Sequence, residues 1–202
     1  MWLDWGVNTG GREVFAASTG LVMCFVPFLY PTYKMTYLLY ALQVNIIILG
    51  VGTFIFHWWP IDQYNNSIIA PLDWIPMIFT LANLLFISNY VFFNKYNLCM
   101  HTVSMLLVIG WIFTLFYIMN FGFNVWISEL LLVAPPVFFL LYLSCFVDLH
   151  EAWLLLFLCL GIWLTNRFAC KAWSVLGSLH AIWHVIIGYA LWDIGVTLTN
   201  FY

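Results

Sequence analysis

The sequence is poor in charge. Of 202 residues, five are Lys or Arg and eight are Asp or Glu, so only 6% carry a charge. Soluble domains average about 25%, and so thin a supply cannot coat a water-facing surface. That excludes an ordinary cytosolic domain and a disordered chain, which needs polar composition. It also excludes a nucleic-acid binder, because no basic patch exists to meet phosphates. The net charge of -3 adds little when so few charges are present. Cysteine is scarce too: Cys24, Cys99, Cys145, Cys159 and Cys170 are scattered, odd in number and never form Cys-x-x-Cys. No disulfide framework or cysteine zinc site is indicated, and the thiols read as small buried hydrophobes. Internal repeats and linkers are missing, so residues 1–202 read as a single domain. The first thirteen residues are mixed polar and lead into a long apolar run. They lack the short core and small-residue cleavage site of a secretory signal. The first apolar helix is therefore expected to stay and act as its own insertion signal.

Apolar residues are what the chain has: 65% hydrophobic and 21% aromatic. A membrane-spanning helix needs about 20 mostly apolar residues. Seven runs come near this, at 14–31, 36–59, 68–93, 98–118, 125–146, 150–166 and 172–195, the sixth being the shortest. The polar breaks between them are short, which makes consecutive helices antiparallel neighbours in one bundle. The expected fold is all-α: a polytopic, multi-pass integral membrane protein with a seven-transmembrane-helix bundle. Tyr30, Trp58, Trp59, Trp126 and Trp153 sit near span ends, as interface anchors do. Orientation is undecided, since Arg12, Arg167 and Lys171 on one side face Lys34 and Lys95 on the other.

Ionisable groups inside apolar spans are expensive and point to function. Four stand out: His57 near the end of span two, Asp73 early in span three, and His180 and His184 in span seven. The His180-x-x-x-His184 spacing puts both imidazoles on one helix face, at the pitch where two ring nitrogens reach one metal ion. Thr53 and His57 are also four apart. With an odd number of spans, span two ends, and spans three and seven begin, on the same side of the membrane. All four ionisable groups therefore point into one membrane half. Three neutral imidazoles with one open position form the ligand set of a catalytic zinc site. Zinc would lower the pKa of its bound water to about 7. Asp73 would take that water's proton or orient it, and the Thr53 hydroxyl would donate to a developing oxyanion. The competing reading is a polar network that only holds the bundle together. His101, His150, Glu129, Asp148, Glu151 and Asp193 fall near span ends, where water can solvate them. Gln43, Asn45 and Asn83 read as hydrogen-bonding links between helices.

At these residues the sequence resembles the alkaline ceramidase family. That family belongs to a wider superfamily of seven-helix zinc membrane hydrolases that also includes the adiponectin-type receptors. The superfamily pattern of Ser-x-x-x-His, Asp and His-x-x-x-His reads here as Thr53-x-x-x-His57, Asp73 and His180-x-x-x-His184. Leu72-Asp73-Trp74-Ile75-Pro76-Met77 is similar to the ceramidase branch's Leu-Asp-x-x-Pro-Met. Leu179-His180-Ala181-Ile182-Trp183-His184 is similar to its His-x-x-Trp-His. Thr53 replaces the family's serine, keeping the hydroxyl and adding a methyl.

The resemblance implies an intramembrane zinc-dependent amidase, a lipid hydrolase of sphingolipid metabolism. It would split a ceramide-like lipid into a sphingoid base and a free fatty acid. Its partners would be that membrane lipid and the bilayer, with no nucleic acid. The alternatives are a lipid-sensing receptor, or a phospholipid or other lipid esterase, on the same zinc-binding scaffold. The host membrane, of endoplasmic reticulum or Golgi type or a bacterial inner membrane, stays open. The family also binds calcium through an amino-terminal stretch. Asp4, Trp5, Asn8 and Glu13 are the corresponding candidates, but Val7 and Thr9 stand where further ligands belong. Calcium prefers six to eight oxygens, more than this stretch's side chains offer.

Overall fold

The computed structural model describes residues 14–29, 36–59, 71–93, 98–121, 125–169 and 177–201. Among them are seven α-helices and no strand: α1 (Val14–Met23), α2 (Tyr37–Trp58), α3 (Pro71–Phe93), α4 (Leu98–Phe121), α5 (Val125–Leu143), α6 (His150–Ala169) and α7 (Gly177–Phe201). Each falls on one of the seven apolar runs. A short 3-10 turn, Val26–Phe28, follows α1. Pro27 explains that break, because it has no N–H to offer the Met23 carbonyl.

Local chemistry sets the ends that flank the polar residues. The Thr36 hydroxyl caps α2 by accepting the Leu39 N–H at 3.2 Å. Trp59, which stands before Pro60, turns extended (φ -77°, ψ 138°) and closes the helix. His57 therefore lies in the last turn of α2. Pro71 opens α3 and places Asp73 in its first turn, where a carboxylate suits the positive end of the helix dipole. One expectation needs correcting. The seventh helix runs to Phe201 rather than 195, and within it Thr199 Oγ1 donates back to the Gly195 and Val196 carbonyls at 3.0 Å. Asp193 is consequently inside a helix and only 8% exposed, not at a solvated end.

The helices α1, α2, α3 and α7 pack together at the centre; α6 lies against α7, and α4 and α5 lie on the α3 side. The main core joins Leu39, Leu42, Ile46 and Leu49 of α2 to Leu84 and Ile87 of α3 and to Leu191, Trp192, Ile194 and Leu198 of α7. Glycines let backbones touch. A Cβ on Gly50 would meet the Gly20 carbonyl oxygen of α1 at 2.5 Å and Cys24 Sγ at 2.6 Å. A Cβ on Gly52 would run into the Leu72 carbonyl of α3. Two residues turn a helix by roughly 200°, so α2 is gripped on opposite faces. Asn45 and Asn83 add the expected bridges, donating to the Phe79 and Leu38 carbonyls at 3.5 and 3.4 Å.

Prolines inside helices free carbonyls, and in one case a neighbouring helix supplies the missing donor. Pro76 denies the Leu72 carbonyl its usual donor four residues on, and this carbonyl is the one facing Gly52. Pro135 does the same to Leu131, whose carbonyl instead accepts the Trp111 indole N–H of α4 at 2.7 Å. Such accounting is compulsory where water cannot supply a partner. Outward surfaces are apolar, with Leu107, Phe113, Phe138 and Leu154 each at least two-thirds exposed. Three helical stretches, Tyr37–Trp58, Pro71–Val91 and Leu179–Asn200, are long and apolar enough to cross a membrane.

Candidate metal centre

Four helices converge on one polar spot in the apolar interior. Helical pitch puts Thr53 and His57 on the same face of α2, and both are buried, at 1% and 4% exposure. Helix α7 brings His180 and His184 from its first turns; His184 is buried and His180 half-buried. The three imidazoles meet, with ring centroids 5.3 Å (His57–His180), 5.0 Å (His57–His184) and 4.5 Å (His180–His184) apart. One ligand nitrogen from each lies within 4.8 Å of the other two. Nitrogens around a tetrahedral zinc stand roughly 3.3 Å apart, from Zn–N distances of about 2.0–2.1 Å. Small ring rotations would close the difference.

The surroundings of His184 fit a ligand. The Ala16 backbone of α1 lies near enough to act on its ring electrostatically, and its Nδ1 is buried with no hydrogen-bond partner. A buried ring nitrogen with no protein partner is what a metal ligand in waiting offers. All three donors are imidazoles, and among the described residues no carboxylate joins the cluster. This donor set suits zinc or another borderline divalent metal rather than calcium or magnesium, which take oxygen ligands.

Asp73 stands beside the triad, not in it. The Thr53 hydroxyl donates to Asp73 Oδ1 at 2.6 Å, joining α2 to α3. The carboxyl group is half-buried and close enough to His57 for their charges to interact. The hydroxyl proton that the sequence reading reserved for an oxyanion is thus engaged with Asp73 in this arrangement. Chemically, the centre offers three nitrogen donors, a carboxylate beside them and a hydroxyl that aims the carboxylate.

All five residues proposed for the centre come together. Asp4, Trp5, Asn8 and Glu13, the calcium candidates, lie outside the described residues. His150 is exposed at the start of α6, where Asp148 Oδ1 accepts its backbone N–H at 3.0 Å. Cys24, Cys145 and Cys159 are free thiols. Two neighbours of the centre escaped sequence reasoning, and a third, Trp183, belongs to the His-x-x-Trp-His motif without being given a role there. The Ala16 backbone has no side-chain signal. Gly52 signals only that a backbone can come close. Trp183 did carry a signal, since it lies three residues after His180 and next to His184. A scan against protein-family models finds no match to the chain, and a search of curated proteins finds none either.

Proposed function

We propose that the chain is a seven-span integral membrane hydrolase with a zinc ion held by His57, His180 and His184. We propose further that it cleaves the amide of a ceramide-like lipid to a sphingoid base and a free fatty acid. The observation that carries this reading is the meeting of three imidazoles, with ligand nitrogens within 4.8 Å of one another, next to a hydroxyl-braced carboxylate. Apolar outward faces and three helices of membrane-crossing character support the membrane setting. The choice of a lipid amide rests on the resemblance of the Thr53, Asp73 and His180-x-x-x-His184 motifs to the alkaline ceramidases.

A zinc ion held by His57, His180 and His184 would supply Lewis-acid activation of water and of the amide carbonyl near neutral pH. The protein's own groups do the rest. Thr53 fixes one carboxylate oxygen of Asp73, which leaves the other to take the proton of the attacking water. Water adds its oxygen to the amide carbon, the C–N bond breaks, and Asp73 hands the proton to the departing nitrogen. The products are one acid and one amine, with all atoms of the water accounted for. The apolar interior keeps bulk water from competing and strengthens every charge interaction in the centre.

The test uses purified protein in mixed micelles with a ceramide, and mass spectrometry of the products. The parent should release fatty acid and sphingoid base. Asp73→Asn should retain metal and lose on the order of 10²–10⁴-fold in rate. Turnover by Asp73→Asn at the parent rate would remove Asp73 from its role. Cleavage of ester lipids only would replace the amidase by an esterase. A metal-loaded protein that holds lipid without turnover would be a receptor.

A further inference from the structure

Each of the three histidines has a neighbour placed to orient it, and one of these neighbours is a side chain without a role so far. His184 is buried and has the Ala16 backbone within electrostatic range. His57 has the Asp73 carboxylate within charge-interaction range and the edge of Phe56, 4.9 Å away and at 71°. His180 is the half-buried one, and its ring lies parallel to the Trp183 indole, with centroids 5.9 Å apart and planes 6° apart. The same indole makes a T-shaped contact with His184 at 5.5 Å and 65°. We propose that Trp183 is a positioning residue for the metal centre: its indole face sets the plane of the His180 ring and its T-shaped contact braces His184.

The physical case is one of freedom. An imidazole in a packed core is fixed by its surroundings, but a half-exposed one can rotate about two side-chain bonds. A ring that must be immobilised before it can bind an ion binds that ion more weakly. A flat surface parallel to the ring limits that rotation without itself using either ring nitrogen. Position i+3 on the helix is where such a surface can be supplied from the same element, whatever the neighbouring helices do. Loss of an orienting neighbour of a metal ligand typically costs about 10–100-fold in affinity, and Trp183 should lie in that range.

The inference rests on the metal reading above, so the experiment separates the two. Detergent-purified full-length parent, Trp183→Leu, Trp183→Phe and Ile182→Ala are stripped of metal and titrated with cobalt(II). Visible absorption reports the coordination geometry, and competition with zinc gives the affinity. Circular dichroism confirms equal helicity. The parent should show a tetrahedral cobalt spectrum. Trp183→Leu should bind about 10-fold or more weakly, with a shifted spectrum. Trp183→Phe, which keeps a flat ring, and Ile182→Ala, which changes an exposed neighbour, should stay near the parent. Parent-like affinity in Trp183→Leu overturns the role of Trp183 alone. Equal loss in the Leu and Phe variants also overturns it, because simple packing volume would then be the cause. A parent that takes up neither cobalt nor zinc overturns the metal centre itself.

Discussion

Thr53 and Asp73 are joined by a 2.6 Å hydrogen bond that crosses from α2 to α3. It sits one residue along from the point where the two backbones touch, at Gly52 and Leu72. An O–H donating to a carboxylate at this distance is a strong, charge-assisted bond. The direction of the carboxylate is thereby set by the helix that also carries His57, one turn further on.

Thr53→Ser should therefore keep the bond and stay within a few-fold of parent turnover. Thr53→Val keeps the shape and deletes the donor. It should cost about 1.5–3 kcal/mol of interaction with the charged group, or roughly tenfold or more in rate, without loss of metal. Initial rates with paired elemental analysis check this. Equal rates for Ser and Val would mean that the hydroxyl does not aim Asp73.

Metal content is the most direct test of the triad. Parent protein purified in detergent should hold about one zinc per chain, and His180→Ala/His184→Ala should hold none. Inductively coupled plasma mass spectrometry reads both. An empty parent after exposure to zinc at neutral pH would return the three histidines to a purely structural network.

The Trp111–Leu131 bond makes a paired prediction about stability. Trp111→Phe leaves the Leu131 carbonyl without its donor and should destabilise the protein by about 1–3 kcal/mol. Pro135→Ala restores a helical N–H to that carbonyl. The double variant should recover most of the loss, a coupling that two independent substitutions would not show. Thermal unfolding in detergent measures all four corners of the cycle.

Two glycines should respond in opposite senses to alanine. Nothing lies within 4 Å of a Cβ placed on Gly161, so Gly161→Ala should stabilise by about 0.8–1 kcal/mol through helix propensity. Gly52→Ala drives a methyl into the Leu72 carbonyl and should lower both stability and turnover by separating Thr53 from Asp73. The two melting temperatures, measured side by side, decide it.

Much of this arrangement was legible in the sequence, for physical reasons. Apolar run length locates helices regardless of tertiary detail, and each of the seven runs holds one. The four-residue spacings of Thr53 with His57 and of His180 with His184 follow from helix pitch. Parity of the helix count brings the ends of α2, α3 and α7 together. What stayed hidden depends on inter-helix distance and on the backbone. The influence of Ala16 on His184 comes from its backbone, which every residue has. The Thr53 hydroxyl turned out to face Asp73 because Gly52 lets α3 come close, and that approach is a property of the packed pair. The extension of α7 past residue 195 carries Asp193 into the helix interior, where packing against neighbouring helices buries it.

The grip on α2 also bears on motion. A helix held through Gly50 against α1 and through Gly52 against α3 can neither slide nor roll without driving atoms into a neighbouring backbone. Thr53 and His57 ride on that fixed bar. For the lipid hydrolase proposed above, the helices left to part for a bulky substrate are the peripheral α4, α5 and α6, the last of which leans chiefly on α7. Entry and chemistry then become separable in kinetics. Substitutions on the outer helices should change how fast a lipid arrives, while those along α2 should change what happens once it is there.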